Sequence, residues 1–230
     1  MNLTAEEWTA VRLTLIVAAR AVGFGLPLAV LTAWILVRHR FPGRSLLNAF
    51  VHLPLVLPPV VTGYLLLLTF GRRGLIGAWL ADHLGIVFAF RWTGAALACG
   101  VMSFPLLVRP IRLSIEAVDQ RLEQAAGTLG AAPLRVFLTV TLPLALPGVL
   151  TGMVLGFAKA IGEFGATITF VSNIPGETQT ISSAIYSLIQ TPDGDSAALR
   201  LVVVSVVIAL AALVGSEWFA RRATKRLHGN

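Results

Sequence analysis

The sequence predicts an all-α polytopic membrane bundle of about five transmembrane helices, with one long loop on the side carrying most of the positive charge. Composition is the first reason: 13% of the 230 residues are charged and 56% are hydrophobic, where a soluble domain has roughly 25% charged residues. Mean hydropathy is +0.82. Arrangement is the second reason. Residues 21–37, 45–71, 92–108, 136–158 and 201–216 contain no Asp, Glu, Lys or Arg. Each stretch covers or nearly covers the ~20 residues a helix needs to cross the hydrocarbon. The shorter ones extend past a flanking arginine, whose side chain snorkels to the headgroups. Lipid offers no partners for backbone N–H and C=O groups, so the spans are helices. Strand-like alternation is missing, which argues against a barrel.

The chain reads as one transmembrane domain over residues 1–230, with spans at about 11–37, 46–70, 92–110, 136–160 and 197–219. Residues 1–10 precede the first span. Glu6 and Glu7 stand where a cleavable signal would have a basic region, so that span is expected to stay. Phe41-Pro42-Gly43 makes a tight turn. The second span carries Pro54, Pro58 and Pro59, a density that breaks the helical ladder and predicts a bent or partly unwound helix. A bend alone is one reading, and a bend that shapes a gate is the other. Residues 71–91 form a loop with a short helix around 75–84. The stretch 163–195 is too polar for a full span, yet 166–174 is apolar. It is expected as a re-entrant or surface-lying piece buried in protein.

Charge sets the orientation. With the N-terminus outside, the cytoplasmic segments hold Arg38, Arg40, Arg44, Arg109, Arg112, Arg121, Arg135, Arg221, Arg222, Lys225 and Arg226. The external ones hold only Arg72, Arg73 and Arg91. Positive charge collects on the cytoplasmic side. That distribution accounts for the net +7 without a nucleic-acid partner.

The loop 109–139 is the most informative segment. Residues 111–126 read as one helix, with Ile111, Ile115, Val118, Leu122 and Ala125 on one apolar stripe. Gly127 and Gly130 interrupt it, and Pro133 suits the first turn of the next helix. Small side chains at Ala125, Ala126, Gly130 and Ala131 let another surface approach the backbone. A hairpin lying on the membrane is the competing reading.

No catalytic, metal or cofactor set emerges. Cys99 is the only cysteine and reads as an apolar filler. His39, His52, His83 and His228 are scattered, and no phosphate-binding GxxxxGK motif is present. Glu163 is four residues after Lys159 and is expected to pair with it, since a bare carboxylate would repel an anion. Arg20 is expected to snorkel outward, and Trp8, Trp34, Trp79, Trp92 and Trp218 to mark interfaces.

The run Glu123-Gln124-Ala125-Ala126-Gly127-Thr128-Leu129-Gly130-Ala131, followed by Leu142-Pro143, resembles the EAA loop of bacterial ABC-importer permeases. The motif's glutamate position holds Gln124 here, with Glu123 just before it. The resemblance implies that Glu123, Gln124, Ala125, Ala126, Gly130, Ala131 and Pro143 couple the chain to a cytoplasmic ATPase. Gly162 to Thr167, continuing through Asn173 to Thr180, and His52 to Tyr64 with Gly71-Arg72-Arg73-Gly74, are similar to the molybdate permease subfamily, near the sulfate permeases. That similarity implies an importer in the bacterial inner membrane, with an ATPase dimer, an external molybdate-binding protein, and a second copy of the chain as partners. Sulfate or tungstate is the alternative cargo. Pro58, Pro59, Glu163, Phe164 and Thr167 are the candidate pathway or gate residues. An intramembrane enzyme lacks its constellation, and a passive channel has no use for the coupling loop.

Overall fold

The computed structural model describes residues 3–228, and side chains over residues 3–215. Trp218, the tail cations Arg221, Arg222, Lys225 and Arg226, and His228 therefore lie outside the described side chains. All regular structure among the described residues is helical. Three helices are long and apolar enough to cross a bilayer, and two bent pairs bring the total to as many as five.

α1 (Ala5–Arg38) opens with a capping box: Thr4 Oγ1 accepts the Glu7 N–H at 3.2 Å, and Glu7 accepts the Thr4 N–H at 2.7 Å. Its buried face is built from small residues, including Ala10, Ala18, Ala21, Gly25, Ala29 and Ala33. That face lets the helix lie close against α5 (Trp92–Ala117), the centre of the bundle.

The second apolar stretch is broken into α2 (Arg44–Val56) and α3 (Pro59–Phe70), which meet at 115°. Pro58 forces Leu57 into extended backbone (ψ 143°), and Pro59 supplies the first helical position, where its missing N–H costs nothing. Pro54 sits inside α2 without ending it. α4 (Leu75–Leu84) is short and stops at Gly85, whose φ of 66° requires a glycine-like residue.

α6 (Gln120–Thr128) and α7 (Pro133–Val136) follow α5. A π-helical segment, Phe137–Thr141, then leads into α8 (Leu142–Leu144) and α9 (Leu146–Ile161), with a 70° bend before α9. α9 packs on α5 through Gly148, Gly152 and Gly156, one every fourth residue. A Cβ at Gly148 would lie 2.5 Å from the Pro110 carbonyl, and one at Gly152 2.8 Å from that of Leu107. α10 (Gly165–Val171) is tucked against α3 and α5, with Ala166, Phe170 and Val171 fully buried. α11 (Ile181–Leu188) is tied to α1 by Thr14, whose hydroxyl donates to the Ala10 carbonyl and accepts the Ile181 N–H, both at 2.8 Å. α12 (Asp195–His228) closes the bundle, and Arg200 on it reaches Glu7 at 2.7 Å.

Candidate functional site

At the end of the bundle bearing Arg38 and Arg112, the expected single helix over residues 111–126 is two helices. α5 ends at Ala117, Val118 turns into extended backbone, and Asp119 caps α6 by accepting the Arg121 N–H at 2.9 Å. The apolar stripe is split at that break. Ile111, Ile115 and Val118 are buried with α5, whereas Leu122 and Ala125 on α6 are exposed. No residue of α6 is buried.

α6 ends in a Schellman turn: the Ala131 N–H reaches the Ala126 carbonyl at 3.2 Å, and the Gly130 N–H reaches Gly127 at 3.0 Å. Gly130 has φ +85°, and a Cβ there would meet nothing within 4 Å. The face formed by Gln124, Ala125, Gly127 and Gly130 is therefore open and shallow, with Ala126 and Ala131 half-buried at its edge.

Glu123 is the residue that fastens this helix. Its Oε1 accepts from Arg38 Nη2 at 2.9 Å and Nε at 3.3 Å, and from Thr141 Oγ1 at 2.6 Å. Arg38 Nη2 also donates to the Ile115 carbonyl at 3.1 Å, a cation at the last turn of α5. The carboxylate engaged with the bundle is thus that of Glu123, while the neighbouring Gln124 is exposed. A cavity of about 690 Å³ lies beside this cluster, lined among others by Trp34, Gln124, Gly127, Pro133 and Phe137. Pro143 sits half-buried in α8, two residues after the π-helical segment ends and two before the break at Ala145.

The candidate pathway residues come from two distant stretches that meet. A Cβ at Gly165 would be 2.7 Å from Pro59 Cβ, and one at Gly63 2.5 Å from the Ala166 carbonyl, so the start of α3 rests directly on α10. Pro58 and Pro59 are exposed. Glu163 is only 1% exposed: Oε2 pairs with Lys159 Nζ at 2.7 Å, and Oε1 accepts the Ala166 N–H at 3.0 Å, fastening the start of α10. Phe164 packs on the Tyr186 ring at 4.9 Å, and Thr167 Oγ1 donates to the Phe164 carbonyl at 2.8 Å. The Thr169 hydroxyl is likewise turned to the Gly165 carbonyl at 2.8 Å, and the Asn173 amide to Ser187 Oγ at 2.6 Å.

Both carboxylate oxygens of Glu163 thus serve the fold. Glu163→Gln keeps one acceptor for the Ala166 N–H but sets a neutral amide against the Lys159 ammonium. The expected loss is about 1–3 kcal/mol, read as a lower unfolding midpoint in detergent.

Sequence reasoning missed Arg38, Thr141 and the Arg200–Glu7 pair as partners, because each joins segments far apart in the chain. Arg38 counted only as one more positive charge. Arg20, expected to snorkel, lies over the Trp92 ring at 4.2 Å.

The family model for the binding-protein-dependent transport system inner membrane component matches residues 25–225. The chain is 61% identical over 226 residues to the Molybdenum transport system permease protein ModB of Escherichia coli (strain K12), covering 98% of this chain and 99% of that one. It is 37% identical over 205 residues to the Sulfate transport system permease protein CysT of the same organism, covering 89% of this chain and 73% of that one. Among solved structures, a bacterial alginate ABC transporter in complex with an alginate pentasaccharide-bound periplasmic protein superposes with a TM-score of 0.76. It is 19% identical and covers 96% of this chain and 81% of that chain, a likeness of fold. The chain belongs to the family of binding-protein-dependent transport system inner membrane components, the permease subunits of ABC transporters.

Proposed function

We propose that this chain is the membrane permease of an ATP-driven importer that carries molybdate inward by alternating access. The carrying observation is the 61% identity with a molybdenum permease, maintained over 98% of this chain and well above the 37% identity with a sulfate permease. In this reading α6 and its Schellman turn, on the cytoplasmic side, seat a separate ATPase. Leu122 and Ala125 then face the partner, which explains why they are exposed. Glu123, Gln124, Ala125, Ala126, Gly130, Ala131 and Pro143 form the coupling unit. Pro58, Pro59, Glu163, Phe164 and Thr167 shape the passage, with Glu163 acting as a fastener rather than a ligand.

A single coupling loop per chain suits a homodimer facing two ATPase subunits. A binding protein delivers the oxyanion on the external side, where α4 and the 172–180 loop lie. The spans follow the boundaries about 11–37, 46–70, 92–110, 136–160 and 197–219, with the N-terminus outside and the C-terminus in the cytoplasm. Both termini and the arginine-rich loop then obey the positive-inside distribution.

The test is uptake into proteoliposomes holding the permease, its ATPase and the binding protein. Labelled molybdate is expected to accumulate only with ATP and to be competed by tungstate, which has nearly the same size and charge. Accumulation of sulfate in place of molybdate would refute the cargo.

A further inference from the structure

α6 is held to the bundle in an unusual way. No residue of it is buried, and both of its connections are breaks: the extended Val118 before it and the left-handed Gly130 after it. A helix between two such joints swings unless something pins it. The pin is the Glu123 carboxylate, which receives Arg38 from the end of α1 at 2.9 Å and Thr141 from the end of the π-helical segment at 2.6 Å. Arg38 in turn grips the Ile115 carbonyl in the last turn of α5 at 3.1 Å and the Val118 carbonyl at the joint after it at 3.5 Å. Thr141 stands just before the 70° bend that opens α9. The π-helical turn that carries Thr141 is itself a rare irregularity, of the kind that falls frequently at functional sites.

We propose that the Arg38–Glu123–Thr141 cluster is the strut through which movement of α6 reaches α1, α5 and the bent α7–α9 span. Arg38 and Thr141 are then positioning residues for transport. This rests on the reading that α6 seats an ATPase. Without the strut, the joints at Val118 and Gly130 absorb the motion, and ATP is spent with little cargo moved.

The experiment measures molybdate taken up per ATP hydrolysed, together with the thermal midpoint, in the reconstituted complex. Arg38→Met and Thr141→Val are each expected to lower uptake per ATP about fivefold or more, the lower end of coupling between distant sites. Thr141→Val removes one hydroxyl at nearly constant shape, so it carries the test even where Arg38→Met does not assemble. Arg38→Met combined with Glu123→Gln is expected to be no worse than Arg38→Met alone, because both act through one contact. The control is Glu7→Gln, which breaks the 2.7 Å pair with Arg200 on α12. It is expected to lower the midpoint while leaving uptake per ATP unchanged.

A wild-type ratio in Thr141→Val, additive losses in the double variant, or an equal loss in Glu7→Gln would each overturn the strut. A wild-type complex with no ATP-driven uptake would overturn the underlying reading, and the strut with it.

Discussion

Gly152→Leu is expected to push α9 off α5 and to give a large stability loss. The Cβ alone would sit 2.8 Å from the Leu107 carbonyl and 3.4 Å from the Ile111 side chain, so no rotamer relieves the contact. Backbone must move, and Gly148 and Gly156 on the same stripe prevent a small local adjustment: their own contacts with Pro110 and Leu107 are as close. Overpacking of this kind costs about 1–3 kcal/mol where side chains can yield, and more where they cannot. Three kcal/mol corresponds to a fall of roughly 6–12 °C in melting temperature for a chain of this size. Size-exclusion chromatography of a fluorescent fusion after heating would read it. Gly23 provides the comparison, since a Cβ there meets nothing within 4 Å. Gly23→Ala is expected to be neutral or stabilising by up to about 1 kcal/mol, the helix-propensity difference.

The second large effect is on assembly. Gly130 holds φ +85° in open space, so its constraint within the chain is conformational, and on the proposed reading the space around it is where the ATPase docks. Gly130→Asn introduces a side chain that tolerates the left-handed region and is expected to leave the chain folded, with much of its ATPase binding intact. Gly130→Trp strains the left-handed turn, but the position is exposed and the turn lies outside the core, so the chain is expected to accumulate in the membrane at somewhat lower stability. Its indole would stand where the ATPase approaches. Affinity should fall at least about tenfold, equivalent to ~1.4 kcal/mol, measured as ATPase recovered with the purified permease at matched permease amounts. Equal recovery by the Trp and wild-type proteins would show that the turn faces no partner.

The sequence was most legible where local chemistry decides structure. Gly74 and Gly85 bracket α4, and the paired prolines 58 and 59 predict the break between α2 and α3. The small-residue turn after α6 was readable from Gly130 and Pro133. Periodicity misled at residues 111–126: the apolar stripe runs through Asp119 without interruption, yet an aspartate that can cap the following turn ends one helix and begins another. The bend before α9 was also missed. It falls at Ala145, between Pro143 and Pro147, and the apolar stretch was read there as one continuous span.

The candidate sites divide in the same way. The Lys159–Glu163 pair follows from four-residue spacing on one helix and is present at 2.7 Å. The Arg38–Glu123 contact joins residues 85 positions apart, and only packing brings them together. The meeting of Pro59 with Gly165 is of that second kind, and so is the preference for Glu123 over Gln124 as the engaged residue.

The central claim is that α6 lies on the cytoplasmic face and is covered by an ATPase. It is tested most directly by a single reporter cysteine at Gln124, placed in a Cys99→Ser background because Cys99 is the chain's only cysteine. A membrane-impermeant maleimide is expected to label Gln124→Cys in inverted membrane vesicles and not in intact cells, and added ATPase is expected to protect it. Labelling in intact cells, or labelling in inverted vesicles that excess ATPase leaves unchanged, would contradict the account.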